Sequence, residues 1–332
     1  MRSRRPTGLT RREVLVGGVA TGLLLAACGG GDDGDTSAAP GDGDGGDGGT
    51  RTVEVDGREV VVPTDPRRVV AMENRRDLET AVVLGLPLVG LGVYGQAPEP
   101  VAPFIPYEAD GVEVLDTAEP NLEQIAALRP DLVLSRDIYL GEDFLDGRLP
   151  DAAPVLPIAS EGPWRPDLGE VAAWLGREPM LSSALDQHDA AVAEVRDRHA
   201  QALTSARVAV VEYYPAGPSF YAGGIDGFQL QANTLGELGG RVIDAVADRD
   251  YFDEPLALEN VGQLEAADAL LVVVGDAAAR DELDGIELWQ RLPAVEAGRV
   301  VHTDTRTNQG SVYAAAECLR LLDELYATID GR

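Results

Sequence analysis

The chain has 332 residues, with 27 basic and 57 acidic side chains and a formal charge of −30 at pH 7. Every basic residue is an arginine, because no lysine occurs. A balance this negative excludes nucleic acid as an expected partner, since phosphate backbones are bound by positive surfaces.

Residues 1–28 read as an export signal. Arg11 and Arg12 stand before Val14 and Leu15 in the twin-arginine form and open an apolar run from Val14 to Ala27. A spanning helix needs roughly 20 apolar residues, so this run is a signal core rather than a membrane span. It ends Leu25-Ala26-Ala27-Cys28, which resembles a bacterial lipobox and makes the Cys28 thiol the expected site of a diacylglycerol anchor. Residues 29–50, nearly all Gly, Asp, Ala, Ser and Pro, have nothing to bury and repel one another, and they read as an extended tether. The folded body is thus expected at the outer face of the cytoplasmic membrane, lipid-anchored. The signal carries five of the basic and one of the acidic residues, which leaves 22 against 56 and a charge of −34.

The rest of the chain exceeds what one core usually supports, so two lobes are expected. Cys318 is then the one remaining thiol, and in its apolar helical setting it reads as core. Alternating runs at Thr52–Val55 and Glu59–Pro63 around Asp56-Gly57 predict a hairpin. Short β-branched runs at Arg68–Met72, Leu88–Leu91 and Asp131–Leu134 then alternate with helical patterns at Asp77–Leu84 and Leu122–Leu128. The alternation resumes with strands at Arg207–Val211, Leu270–Val274 and Arg299–His302 and helices near Phe228–Leu238 and Tyr313–Ile329. Strands alternating with helices predict an α/β fold of two parallel-sheet lobes. Between them, Leu181, Leu185, His188, Val192, Val195, His199 and Ala202 fall four and three apart on one stripe, which predicts a single rigid helix of about 36 Å joining the lobes. His188 and His199 are three turns apart on it and cannot share a metal ion. The expected boundaries are 51–178 for the N-terminal lobe, 179–204 for the interlobe helix and 205–332 for the C-terminal lobe.

Several ordered blocks carry a resemblance to a known family. They are Pro66-Arg67-Arg68-Val69-Val70-Ala71, Leu84-Gly85-Leu86-Pro87-Leu88-Val89-Gly90 and Asn121 to Val133, followed by Leu258-Glu259-Asn260, Ala267-Asp268-Ala269, Trp289 to Val295 and Gly298-Arg299-Val300. Together they resemble the ABC-importer binding proteins for iron siderophores, haem and cobalamin, whose two lobes are joined by one long helix around a ligand cleft. The resemblance implies a monomeric solute-binding lipoprotein that needs no cofactor and delivers a ferric siderophore to the permease subunits; haem or cobalamin is the alternative ligand. It also implies that Glu123 and Glu259, one on each lobe, meet the permease. Read without it, Asn121 caps a helix, Gln124 closes a capping box, and Glu123 gains from the helix dipole.

Ligands in parallel α/β sheets sit beyond the carboxyl ends of the strands. The residues there are rich in Arg and Tyr: Arg75 and Arg76 after the first strand, Arg136 and Tyr139 after Leu132–Leu134, and Tyr213 and Tyr214 after the strand from Val208. Tyr94, Trp164, Arg165, Tyr221 and Arg306 occupy loops of the same kind. Gathered arginines predict a positive basin for an anionic ferric chelate, with the aromatic rings stacking on it. Met72, at a strand end, is a candidate haem ligand but reads as core. No G-x-S-x-G elbow, glycine-rich phosphate loop or HExxH pair occurs, which argues against an enzyme. Three histidines, His188, His199 and His302, are too few and too scattered for bare zinc or manganese.

Overall fold

The computed structural model describes residues 49–55, 57–94, 99–137, 153–160 and 163–331. Arg11, Arg12, Cys28, Tyr139 and nearly all of the tether lie outside the described residues. The body opens with the hairpin of β1 (Thr50–Val55) and β2 (Arg58–Pro63), with Val55 paired to Arg58 across a two-residue turn. Gly57 supplies the left-handed residue of that turn at φ 75°.

Five strands form the N-terminal sheet: β3 (Val69–Ala71), β4 (Leu88–Val93), β5 (Glu113–Asp116), β6 (Leu132–Arg136) and β7 (Val155–Ile158). Their order is β5-β4-β3-β6-β7 and every neighbouring pair is parallel. Helices α1 (Arg76–Val83), α2 (Leu122–Ala127) and α3 (Trp164–Leu175) flank it. A Cβ on Gly92 would overlap the Met72 carbonyl, so glycine there lets β4 lie close against the end of β3. The Pro66-to-Ala71 and Asn121-to-Val133 blocks lock each other. The Asp131 carboxylate accepts the Arg67 and Arg68 amides at 2.7 and 3.0 Å, and the Arg68 guanidinium returns to the Leu128 and Arg129 carbonyls at the end of α2.

In the C-terminal sheet β8 (Arg207–Tyr214), β12 (Ala269–Val274) and β13 (Val300–Asp304) form the parallel core. Antiparallel β9 (Ser219–Ala222) and β11 (Leu256–Ala257) extend one edge, and β10 (Arg241–Val242) runs parallel beside β8. Pro215 to Pro218 are too few residues for a crossover, so β9 folds straight back on β8. Asp268 accepts the Arg207 amide at 2.8 Å, repeating at the start of β8 what Asp131 does at the start of β3.

The predicted interlobe helix is two helices, α4 (Glu178–Arg198) and α5 (Ala200–Ser205). The 21 residues of α4 span about 32 Å. The break falls at His199, whose ring nitrogens meet Asp330 Oδ2 at 2.7 Å and Asp323 Oδ1 at 2.8 Å. Both carboxylates belong to the last helices of the chain, α6 (Leu230–Glu237), α7 (Asp244–Ala247), α8 (Ala277–Asp284), α9 (Glu287–Gln290), α10 (Pro293–Glu296) and α11 (Val312–Asp330), and specifically to α11. Along α4, Leu181 joins the N-terminal core, while Val192 and Val195 join the C-terminal one.

The lobes also share a core and a buried polar seam. Leu230, Val312, Ala314, Ala315 and Cys318 pack in the same apolar cluster as Val69, Leu132, Leu134 and Trp164. Glu79 of α1 reaches across to the start of α11, where its Oε2 accepts the Ser311, Tyr313 and Ala314 amides at 2.9, 2.9 and 3.2 Å and the Ser311 hydroxyl at 3.2 Å. A Cβ on Gly310 would overlap that carboxylate, so the glycine makes the approach possible. The first amides of a helix have no partner within it, and here the other lobe supplies one.

Glu79→Ala is therefore expected to lower urea-unfolding stability by about 2–3 kcal/mol, because buried donors at the start of α11 lose their acceptor. The exposed Glu194, ion-paired with Arg198 on the surface of α4, serves as control. Glu194→Ala should cost under about 1 kcal/mol, and equal losses in the two variants would show that the interlobe cap contributes nothing special.

Candidate functional site

The carboxyl ends of both sheets open onto one cleft. Asn74 and Arg75 follow β3, Tyr94 and Glu99 follow β4, and Thr305 and Arg306 follow β13; together with Glu79, Ala102 and Ile105 they line a hollow of about 120 Å³. A second hollow of about 530 Å³ lies on the C-terminal side, lined by Glu212 and Tyr214 at the end of β8 and by Gly275 and Asp276 after β12. Thr305 borders both.

Of the sequence-predicted residues, Arg75, Tyr94 and Arg306 line the first hollow and Tyr214 the second. Tyr94 is 58% exposed and Tyr214 52%, so both rings are available to a ligand. Arg306 is gripped by Asp304, with Nη2 on Oδ2 at 2.7 Å and Nε on Oδ1 at 3.0 Å. Burial opposes charge on the Asp304 carboxyl, yet these bonds hold it below the usual carboxylate range. Tyr221 stands beside Tyr214 edge to face, centroids 5.9 Å apart.

Four of the expected ligand residues are placed elsewhere. Arg136 is 2% exposed, with Nη1 between Glu73 at 3.3 Å and the Gln309 amide oxygen, and Nη2 on the Ser160 carbonyl at 3.2 Å. Arg76 is 4% exposed and donates to the Gly310 carbonyl at 3.1 Å and the Ala159 carbonyl at 2.6 Å. Both bridge the lobes under the cleft instead of facing it, because a guanidinium that must be buried needs several acceptors at once and only the seam supplies them. Trp164 and Arg165 begin α3 instead of occupying a loop. The Trp164 ring is buried against His188, centroids 5.5 Å apart, while Arg165 stacks over it and pairs with Glu237 at 3.0 Å and Asp189 at 2.6 Å. His188 closes that cluster, its Nε2 at 2.9 Å from Glu237. Met72 is fully buried in the N-terminal core, and among the described residues no three His, Cys, Asp or Glu side chains are arranged to hold a metal ion.

Sequence reading missed three of the five rings in an aromatic cluster around Tyr221. Tyr221 packs on Tyr251 at 5.3 Å, Tyr251 on Phe228 at 5.0 Å, and Phe252 on Phe228 and Tyr251 at 4.7 and 5.2 Å. Tyr251 and Phe252 follow no strand, so the strand-end rule could not find them; the Tyr-Phe pair in a chain only 5% aromatic was the available signal.

Glu123 and Glu259 are exposed and occupy equivalent positions. Glu123 precedes the strand-locking Asp131 by eight residues, and Glu259 precedes Asp268 by nine. Asn121 caps α2, accepting the Glu123 and Gln124 amides at 3.0 and 3.2 Å. Gln124 does not close the capping box; its amide donates to Glu113 at 2.8 Å, because β5 lies within its reach. Glu259 sits in a 3-10 helix, Leu258–Leu264, with no side-chain cap, because Ala257 before it carries no acceptor.

The family profile described as "Periplasmic binding protein" matches residues 84–307. YhfQ of Bacillus subtilis (strain 168), named as an ABC transporter substrate-binding lipoprotein, is 22% identical over 259 residues, 73% of this chain and 77% of YhfQ. Staphylococcus aureus SirA complexed with staphyloferrin B superposes with a TM-score of 0.67 at 20% identity, covering 85% of this chain and 99% of SirA. The siderophore periplasmic binding protein from the fuscachelin gene cluster of Thermobifida fusca gives 0.59 at 26% identity, covering 82% and 99%.

The seam predicts a pH dependence. Burial lifts Glu79 to about 6 in spite of its four donors, and lifts Asp167, whose Oδ1 accepts the Ala159 amide, to about 6 as well. Between their ordinary values and 6 the native state holds protons that the unfolded chain releases, so stability falls as pH rises through that window. Each group accounts for on the order of 2–3 kcal/mol. Urea midpoints should be higher near pH 5 than near pH 7, and Asp167→Asn should flatten the difference; midpoints that rise from pH 5 to pH 7 would contradict this.

Proposed function

We propose that this chain, which belongs to the periplasmic binding protein family, captures a ferric siderophore outside the membrane and hands it to the permease subunits of an ABC importer. The observation that carries the reading is the cleft, where strand ends of two sheets bring Arg75, Arg306 and Tyr94 to one hollow and Tyr214, backed by Tyr221, to the other. Arginine supplies directed hydrogen bonds to carboxylate or catecholate oxygens, and tyrosine supplies flat apolar area with a polar tip. Binding of staphyloferrin B by SirA, and the siderophore role given to the Thermobifida fusca protein, support this ligand class. The full burial of Met72 removes it as a haem ligand.

Export rests on the sequence of residues 1–28: the twin arginines direct the precursor outward and Cys28 carries the lipid. No helix among the described residues is long and apolar enough to cross a membrane, and YhfQ is named a lipoprotein. Docking is assigned to Glu123 and Glu259, whose exposure and equivalent placement before Asp131 and Asp268 give each lobe one carboxylate to offer.

Ferric citrate or a ferric catecholate should quench the intrinsic fluorescence of the protein, with an affinity that falls as salt rises. Arg75→Glu and Arg306→Glu should each weaken binding about ten-fold. Arg67→Glu and Arg291→Glu, at the opposite ends of the strands, should change it less than about two-fold. Equal losses in all four variants would remove the cleft as the ligand site. Replacing Glu123 and Glu259 together by Gln should leave chelate affinity intact while importer-stimulated ATP hydrolysis falls sharply, and normal stimulation would end the docking assignment.

A further inference from the structure

The second hollow differs from the first, where Arg75 and Arg306 share the lining with Glu79 and Glu99. Glu212, Asp276 and Glu282 line it, and no basic residue does. Asp276 is occupied as the cap of α8, accepting the Ala279 amide at 2.8 Å, and Glu282 accepts the Tyr213 hydroxyl at 2.8 Å. Glu212 differs from both. It is only 6% exposed, and its Oε2 accepts the Tyr251 hydroxyl at 2.6 Å and the Asn308 amide at 2.7 Å. Both donors are neutral, and burial together with the charge of Glu212 pushes the Tyr251 phenol up, so Tyr251 keeps its proton. Among the described residues the hydrogen bonds of Glu212 both fall on Oε2 and come from neutral donors, and no arginine or histidine pairs with it. A largely buried carboxylate gains most from an opposite charge, and Oε1, left over from the two bonds to Oε2, opens on the hollow that Glu212 lines. Tyr214, half-exposed at the rim, adds a ring face with a negative quadrupole, and Tyr221 supports it from behind.

We propose that this hollow is a subsite for a protonated amine of the ligand, the ammonium meeting Glu212 Oε1 while its alkyl chain and charge lie against Tyr214. The subsite rests on the cleft being the ligand site, and it narrows the cargo to chelates that carry a cationic arm. The ligand then lies across the cleft with the oxygens of its iron centre toward Arg75 and Arg306 and its ammonium toward Glu212. No bond is made or broken.

The test compares a linear ferric tris-hydroxamate ending in a primary ammonium with the same chelate acetylated on that amine, both titrated by fluorescence quenching. The ammonium form is expected to bind about ten-fold tighter, and Glu212→Gln, which keeps size and polarity, should bring the ratio close to one. Tyr214→Leu, at an exposed position where folding is not at stake, should reduce the ratio by about three-fold. Equal affinity of the two chelates for the unaltered protein, or a ratio untouched by both substitutions, overturns the subsite. Should neither chelate bind, the subsite is decided by n-pentylammonium against n-pentanol, while the siderophore reading stands or falls with the ferric citrate and catecholate titrations. Ring resonances of Tyr214 and Tyr221 that move with the amine alone, and not in Glu212→Gln, support it, and unmoved resonances end it.

Discussion

One carboxylate holds the two halves of this protein in register. Glu79 leaves the first helix of the N-terminal lobe and serves as the cap that the last helix, α11, cannot make for itself. Arg76 and Arg136 run beside it to Gly310 and Gln309, so the segment that begins α11 is fastened at successive residues to the opposite lobe. Buried polar groups that are fully used fix geometry more tightly than apolar packing does, since a small shift costs several hydrogen bonds together. The apolar cluster that contains both Leu134 and Val312 closes the same seam from the other side. With α4 packed into both cores as well, the floor of the cleft is part of the folded core, and freedom to adapt to a ligand is left to its exposed rims.

That seam also decides the electrostatics of the cleft. A chain with 57 acidic residues and only arginine for balance has few cations to spare. Arg76 and Arg136 are consumed by the seam, Arg165 by Glu237 and Asp189, and Arg306 is partly neutralised by Asp304. What remains at the cleft is Arg75 and Arg306 beside Glu79 and Glu99 in one hollow, and an acidic, aromatic lining without a cation in the other. A uniformly positive basin would favour any multiply charged anion. A divided cleft discriminates by orientation, because the wrong way round each charge faces its like.

The two lobes repeat one device at the ends of the strands that face away from the ligand. Asp131 pins the start of β3 and Asp268 the start of β8, each from the residue just before the neighbouring parallel strand. Glu123 and Glu259 stand eight and nine residues ahead of these aspartates, each near the start of the helix that precedes its strand. Local differences persist within it: Asn121 caps a regular helix, while Ala257 offers no side-chain acceptor and the following turn tightens to a 3-10 helix.

Most of the fold was legible in the chain itself. The hairpin, the core strands of both sheets, α1, α2, α6 and α11, and the burial of Cys318 all follow from apolar periodicity and turn chemistry, which act between residues near in sequence. The edge strands β5, β9 and β11 and the helix α3 were not, because their short or proline-bearing runs carry little periodic signal and form against neighbours distant in sequence. The site was legible only as a set of strand ends. Arg75, Arg76 and Arg136 look alike in the sequence, yet one reaches the hollow and two are buried in the seam, a difference set by Glu73, Ala159, Gln309 and Gly310, which lie far along the chain. Sequence determined which residues arrive at the cleft, because strand direction fixes that locally. Only the tertiary structure decided which of their charges remain for a ligand, because the destination of a long side chain depends on acceptors that folding brings from the other lobe.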